Sequence, residues 1–265
     1  MKKVLIILTV TITVFLFSGQ QTNGEDSINK SNLTGKWITM GPMGTKSLTF
    51  KENGLIEYNF GDDNNVELVT EYKIIQDTII FNDKEGFTCP NTGKYKLFVN
   101  EYYIAFDLIE DNCGGRIKNT MGFWVRPNYE ELLEELSYKI SQTGKPEYYL
   151  KRARMYIALG QSQKAKSDLD YYVENGQVNA RVYINRAGTQ MPDHPEGVIS
   201  DCDKAINLDE KNKNAFFLKG LALYSLDKKE EACQNFTKAI DLGFSILRIA
   251  EKQRCAEFWE PENTN

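Results

Sequence analysis

Residues 214–242, from Asn214 to Leu242, read NAFFLKGLALYSLDKKEEACQNFTKAIDL, and the same pattern of small and large side chains returns upstream. Ala153, Ala187 and Gly220 are spaced by 34 and 33 residues; Ala165, Val198 and Ala232, like Tyr172, Ala205 and Ala239, by 33 and 34. Small residues at these places let paired helices approach closely, while Leu169, Cys202 and Phe236 fill the space between repeats. Self-similarity at this period predicts helix pairs that each bury an apolar face against the next pair.

The stretch resembles the tetratricopeptide repeat family. The copy at 214–242 matches nearly throughout, and the first copy, 146–179, matches well. The second, 180–212, is degraded: Gln190-Met191-Pro192 stands where the first helix should end in an aromatic, and Asp209-Glu210 occupies the place of the family's Asp-Pro terminator. Three repeats spanning 146–243 are the minimum for a stable array, whose ends need caps. Asn128 is read as the N-cap of a helix carrying Leu132, Leu133, Leu136 and Ile140, which stops near Gly144 and Pro146. This segment, 128–145, caps one end of the array, and a helix from Ser245 to Phe258 within 244–260 caps the other.

Upstream the apolar period is two, the mark of half-buried strands. Leu48-Thr49-Phe50 and Ile56, Tyr58 and Phe60 form a hairpin about Lys51-Glu52-Asn53-Gly54, where Asn-Gly suits a tight turn. Leu68, Thr70, Tyr72 and Ile74 share a face, and Thr78 to Phe81 follow the break at Gln76-Asp77. Tyr95, Leu97 and Val99 oppose Tyr102, Ile104, Phe106 and Leu108 across Asn100-Glu101, and Met121, Phe123 and Val125 close the series. With the opening strand at Trp37 there are about eight antiparallel strands in 33–127, an up-and-down barrel or flattened sandwich. The fold class is therefore a multidomain α+β chain: an N-terminal antiparallel β-barrel followed by an all-α solenoid.

Leu33-Thr34-Gly35-Lys36-Trp37, Cys113-Gly114-Gly115-Arg116 and Phe123-Trp124-Val125-Arg126 make this half similar to the small bacterial lipocalin-like domains of the calycin group. The resemblance implies that the first-strand Trp37 packs beneath Arg126 of the last strand. Since the domain lacks some 50 residues of a full lipocalin, its interior is expected to be filled by side chains as readily as by a ligand.

Cys89 and Cys113 are centred on residue 101, at a hairpin turn, so they should face each other at its open end. A bond there closes a loop of about 25 residues, worth roughly 3 kcal/mol. Cys233 and Cys255 are centred on residue 244, beside Gly243, where antiparallel helices turn, and they are similar to a cysteine pair in the terminal repeat of many secreted bacterial relatives. Cys202 is left over as a buried thiol.

The chain has 265 residues, 41% of them hydrophobic and 26% charged, as in a globular protein. Met1-Lys2-Lys3, the apolar run Val4 to Phe17 and Ser18-Gly19-Gln20 read as a signal peptide over 1–20, with 21–32 a flexible segment. The run is too short for a membrane span, and it lacks a lipoprotein cysteine, so a secreted or periplasmic protein with no stable span after signal removal is expected. Removing Lys2 and Lys3 lowers the formal charge from −5 to −7, which disfavours nucleic acid as a partner.

Catalytic signals are weak. His194 sits in a turn, Met191-Pro192-Asp193-His194-Pro195, without a glycine-flanked serine. Asp62-Asp63-Asn64-Asn65 lacks the glycine and downstream glutamate of a calcium loop, and no cysteine spacing suits zinc. Sequons at Asn29, Asn32 and Asn235 matter only on a eukaryotic secretory route. No enzyme, metal or cofactor is expected. The repeat resemblance implies a concave groove lined by Leu150, Lys151 and Arg154; Arg181, Ile184 and Asn185; and Asn214, Phe217, Leu218 and Leu221. These suit an extended peptide or a helix of a protein partner in the cell envelope. Only Asn185 matches the lysines and asparagines with which chaperone-binding relatives hold a terminal carboxylate. The alternative is a small apolar ligand carried in the barrel among Tyr58, Phe60, Tyr72 and Phe106.

Overall fold

The computed structural model describes residues 28, 30–41, 44–61, 63, 65–244 and 249–256. The signal peptide, the flexible segment up to Ser27 together with Asn29, Asp62 and Asn64 of the acidic turn, and the ends of the C-terminal cap lie outside these residues. A short helix, α1 (Lys30–Leu33), leads into β1 (Gly35–Gly41), β2 (Gly44–Phe50), β3 (Leu55–Asn59), β4 (Leu68–Ile75), β5 (Thr78–Gly86), β6 (Gly93–Val99) and β7 (Tyr103–Glu110). After α2 (Gly114–Thr120) comes β8 (Gly122–Val125). The eight strands form one closed antiparallel barrel in chain order, with Ile38 opposite Val125 where β8 returns to β1.

The β2–β3 turn forms as the sequence predicts, pairing Phe50 with Ile56, and Gly54 supplies a φ of +83°. The Asn100 carboxamide accepts from the N–H groups of Tyr102 and Tyr103, so the second hairpin turns one residue later than expected. That delay moves Tyr102 off the barrel's inner face and onto the helices. The last strand needs a similar correction. Ile104 lies opposite Trp124 and both point inward, whereas Phe123 and Val125 point out, because paired residues share a face and neighbours alternate.

Both ends of the barrel are closed. At one, Trp37 donates to the Leu33 carbonyl, and the Arg126 guanidinium lies 3.8 Å above its ring while donating to the carbonyls of Thr34 and Asn32. This is the pairing that the calycin resemblance implies. At the other end lies α2, for which the sequence reading gave no element; it starts just after Cys113, which is bonded to Cys89 with Cα atoms 6.0 Å apart.

The second half is helical: α3 (Tyr129–Thr143), α4 (Pro146–Ala158), α5 (Ser162–Asn175), α6 (Ala180–Gln190), α7 (Pro195–Leu208), α8 (Lys213–Ser225), α9 (Lys229–Asp241) and α10 (Ile249–Arg254). Three helix pairs, α4–α5, α6–α7 and α8–α9, follow the repeat boundaries. Asn128 precedes α3 as expected, but its side chain bonds Glu131 rather than a backbone N–H. Asn179 and Asn212 do cap α6 and α8, accepting from Val182 and Ala215. Phe236 is buried against Gly220, where a Cβ would lie 2.5 Å from its ring. Cys233 on α9 is bonded to Cys255 just beyond α10, with Cα atoms 5.6 Å apart.

Cys202 is buried in α7, and burial, with the charges of Asp201 and Asp203, pushes its thiol up to about 12. Iodoacetamide at mildly alkaline pH is therefore expected to spare this thiol in the folded protein and to modify it in denaturant. Mass spectrometry showing rapid modification of the native chain would contradict that placement.

The halves share a core. Tyr102, Tyr103, Ala105, Phe123 and Val125 on the outside of the barrel pack with Leu136, Met155, Ala158 and Leu159 of the helices. Strands β7 and β8 are consequently buried on both faces.

Candidate functional site

Helices α4, α6 and α8 present the inner face of the array, and the outer face of β7 lies against it. Arg154 on α4 donates through Nη1 to the Tyr103 hydroxyl. Arg181 on α6 pairs with Asp107 at 3.0 Å, and its guanidinium lies 4.0 Å from the Phe98 ring centre. Lys151 reaches Glu101 at 3.5 Å and lies 5.0 Å from the Tyr102 ring centre. Three of the groove residues read from the sequence thus meet the barrel of the same chain.

The others are placed differently. Leu150 packs on Leu169 and Val182 between the first two repeats, and Ile184 and Leu218 pack on the core around Ala187 and Cys202. Phe217 and Leu221 pack at the far end, where Phe217 stacks on Phe244 at 4.3 Å. Asn214, Phe217, Leu218 and Leu221 all remain partly exposed. Beside them, Leu108 to Asn112 at the end of β7 face Ile240, Gly243 and Phe244 across a cleft of about 310 Å³. Ile109 is 50% and Ile240 41% exposed, so two apolar side chains stand on the open rim of the cleft beside the exposed Glu110 and Asn112.

Electrostatics single out Asp107. Burial raises its carboxyl above the usual value, against the pull of Arg181, Arg154, Lys96 and Lys213. Burial lowers Lys213, which Asp107 in turn raises. Arg154 Nε and Asn185 Nδ2 are buried and without a hydrogen-bond partner among the described residues.

The repeats are tied by a ladder that the sequence reading missed. Arg152 pairs with Asp168 at 2.7 Å; Arg186 pairs with Asp201 at 2.6 Å and Asp170 at 3.1 Å; Lys219 pairs with Asp203 at 2.6 Å. The signal was present, since Arg152, Arg186 and Lys219 recur at 34 and 33 residues like the small residues. In the second repeat Gln190 joins the ladder by donating to Asp201, so a polar contact stands where the family has an aromatic.

Inside the barrel, Tyr58, Tyr72 and Phe106 are buried and Phe60 is partly buried against them. Tyr72 packs edge-on against Phe50 at 5.2 Å, Phe106 against Phe81 at 5.9 Å, and Tyr58 against Phe60 at 6.0 Å. The Tyr58 hydroxyl, which burial pushes above the usual phenol value, lies 3.4 Å from Thr120 of α2. These rings pack together in the interior beneath α2. His194 sits at the start of α7, its N–H bonded to the Gln190 carbonyl. No group of three or more metal-ligating side chains occurs among the described residues.

Residues 214–242 match the family described as tetratricopeptide repeat. The human mitochondrial import receptor subunit TOM70 is 28% identical over 135 residues, which cover 48% of this chain and 22% of that protein. The chain therefore spans about a fifth of the relative it matches. Among solved structures, the tetratricopeptide domain of Arabidopsis OM64 is similar at 26% identity, covering 41% of this chain and 93% of that one with a TM-score of 0.39. MamA is similar at 17% identity over 57% of this chain and 86% of its own, with a TM-score of 0.47. The matched tetratricopeptide repeat is thus the last helix pair of an array that follows an N-terminal closed barrel of eight antiparallel strands.

Proposed function

We propose that the chain is an exported, non-enzymatic adaptor that binds an extended segment of a partner protein in the cell envelope, using the inner face of its repeats. The observation that carries this reading is the part-exposed set Asn214, Phe217, Leu218 and Leu221 beside the open cleft of Ile109, Ile240 and Phe244. Apolar anchors flanked by polar groups suit main-chain and side-chain capture of a peptide. The related import receptor's name supports a role in receiving proteins. Export is supported by the apolar run after Lys2-Lys3 and by two disulfides, which persist in oxidising compartments.

Peptides selected by display on the intact, oxidised chain test the proposal. Their affinity is expected to fall on the order of tenfold or more with Ile109→Asp or Ile240→Asp, since a carboxylate would replace an apolar anchor on a rim exposed enough to spare the fold. Selected peptides indifferent to both changes, or a selection that yields none, would overturn it.

A further inference from the structure

Tyr149 on α4 and Tyr171 on α5 lie face to face, with ring centres 3.9 Å apart and planes 21° from parallel, and both rings are partly exposed. The Tyr171 hydroxyl donates to the Gly144 carbonyl at 3.2 Å, just ahead of α4, and the Arg152 guanidinium lies 5.6 Å from the Tyr149 ring centre. The repeat pattern does not require this pair. Counterparts of Tyr149, at 34 and 33 residues, are the ring side chains Tyr183 and Phe216, but those of Tyr171, at 33 and 34 residues, are Lys204 and Lys238. In the second repeat the lysine takes the place of the second ring, with Lys204 Nζ 5.5 Å from the Tyr183 ring centre. A lysine stem and ammonium therefore satisfy the packing at this place. Two phenols held in contact at the surface differ from a lysine over a ring in one chemical respect: oxidation can join them.

We propose that Tyr149 and Tyr171 form an oxidative cross-linking site, coupled to dityrosine by a haem peroxidase that uses hydrogen peroxide. Each phenol loses its hydroxyl hydrogen, the two radicals join through the ring carbons next to the hydroxyls, and the hydrogens on those carbons return to the oxygens. Hydrogen peroxide accepts the two electrons and two protons and becomes two waters. Stacking makes the coupling intramolecular, since a radical on one ring already touches its partner. The bond ties the two helices of the first repeat across 22 residues, the separation also found in the Cys233–Cys255 disulfide at the far end of the array. This site does not rest on the adaptor reading.

The test treats the intact, disulfide-bonded chain at low concentration with a purified haem peroxidase, and reads dityrosine fluorescence and fragmented peptides by mass spectrometry. Peroxide is raised until Tyr138, which is 66% exposed on α3, is modified, so that the oxidant is known to have reached the chain. The parent is expected to carry a link between Tyr149 and Tyr171, with the mass lower by two hydrogens. Tyr149→Phe, which keeps the stacked ring, and Tyr171→Lys, the residue of the other two repeats, are each expected to lose it. Circular dichroism confirms that both variants are folded. Modified Tyr138 without the Tyr149–Tyr171 link, dityrosine only between chains, or equal intramolecular dityrosine in the parent and the variants would overturn the proposal.

Discussion

Replacing Arg116 with alanine is expected to destabilise the barrel by about 3–5 kcal/mol, the range for stranding buried charge by removing its partner. Arg116 Nε and Nη2 grip both oxygens of Asp111 at 2.6 and 2.9 Å, Nη1 reaches Asp83 at 2.9 Å, and Nη2 also donates to the Asn91 carbonyl. All three charged side chains are at most 1% exposed. Burial by itself would lower the arginine's pKa, but the hydrogen bond and charge of Asp111, with the charge of Asp83, raise it above its ordinary value. The carboxylates are held in turn: Tyr95 donates to Asp111, and the N–H groups of Cys89 and Cys113 donate to Asp83 and Asp111. Even Gly93 belongs to this arrangement, since a Cβ there would lie 2.2 Å from an Asp111 oxygen. Alanine leaves two carboxylates in a closed site with their counter-charge gone. Urea unfolding followed by the fluorescence of Trp37 and Trp124 measures the loss, and a change under about 1 kcal/mol would mean that water reaches the carboxylates, as it does at surface pairs.

Phe236→Ala is the second large expected effect, again about 3–5 kcal/mol, the usual range for emptying the site of a buried phenylalanine. The ring is fully buried, packs on Phe217 at 5.8 Å and faces Gly220. Because Gly220 was kept small for this ring, α8 and α9 cannot close the gap without moving together. Stability in repeat arrays is largely a sum over neighbouring interfaces. Hydrogen exchange is therefore expected to accelerate first in α8 and α9, with α4 and α5 retaining protection. Uniform acceleration from α4 to α9 would show instead that the array opens as a single unit.

What the sequence made legible follows from which interactions are local or periodic. The recurrence of Ala153, Ala187 and Gly220 placed three helix pairs, because close packing of neighbouring repeats imposes the same small residue each time. Centring each cysteine pair on a turn worked because a hairpin is symmetric about its own loop. The alternation from Leu48 to Leu108 gave the strands but not what lies outside them. Tyr102 and Phe123 were grouped with the inner face, although the run Tyr102-Tyr103-Ile104-Ala105-Phe106 already had the continuous apolar character of a strand covered on both sides. Helix α2 was missed because Gly114-Gly115 has poor helix propensity, and its conformation is imposed by what Arg116 and Thr120 bond. The repeat resemblance put Lys151, Arg154 and Arg181 on the first helices of their repeats, α4 and α6, where they lie. The strand lying on them was not legible, since Arg154 and Tyr103 are 51 residues apart and no periodicity relates a barrel strand to a helix of the array.

Barrel and array are docked, with the outer side chains of β7 on the inner face of the repeats. Zero-length carbodiimide coupling of the native chain, read by peptide mass spectrometry, tests it directly, because it joins only amines and carboxylates in contact. Lys94 with Glu110 inside the barrel and Lys139 with Glu135 inside the helices, at 2.6 and 2.5 Å, serve as internal standards. The docked arrangement predicts an additional link between Lys151 and Glu101, which lie 3.5 Å apart across the two halves. Both standards appearing without any link from β7 or its turn to α4 or α6 would contradict it.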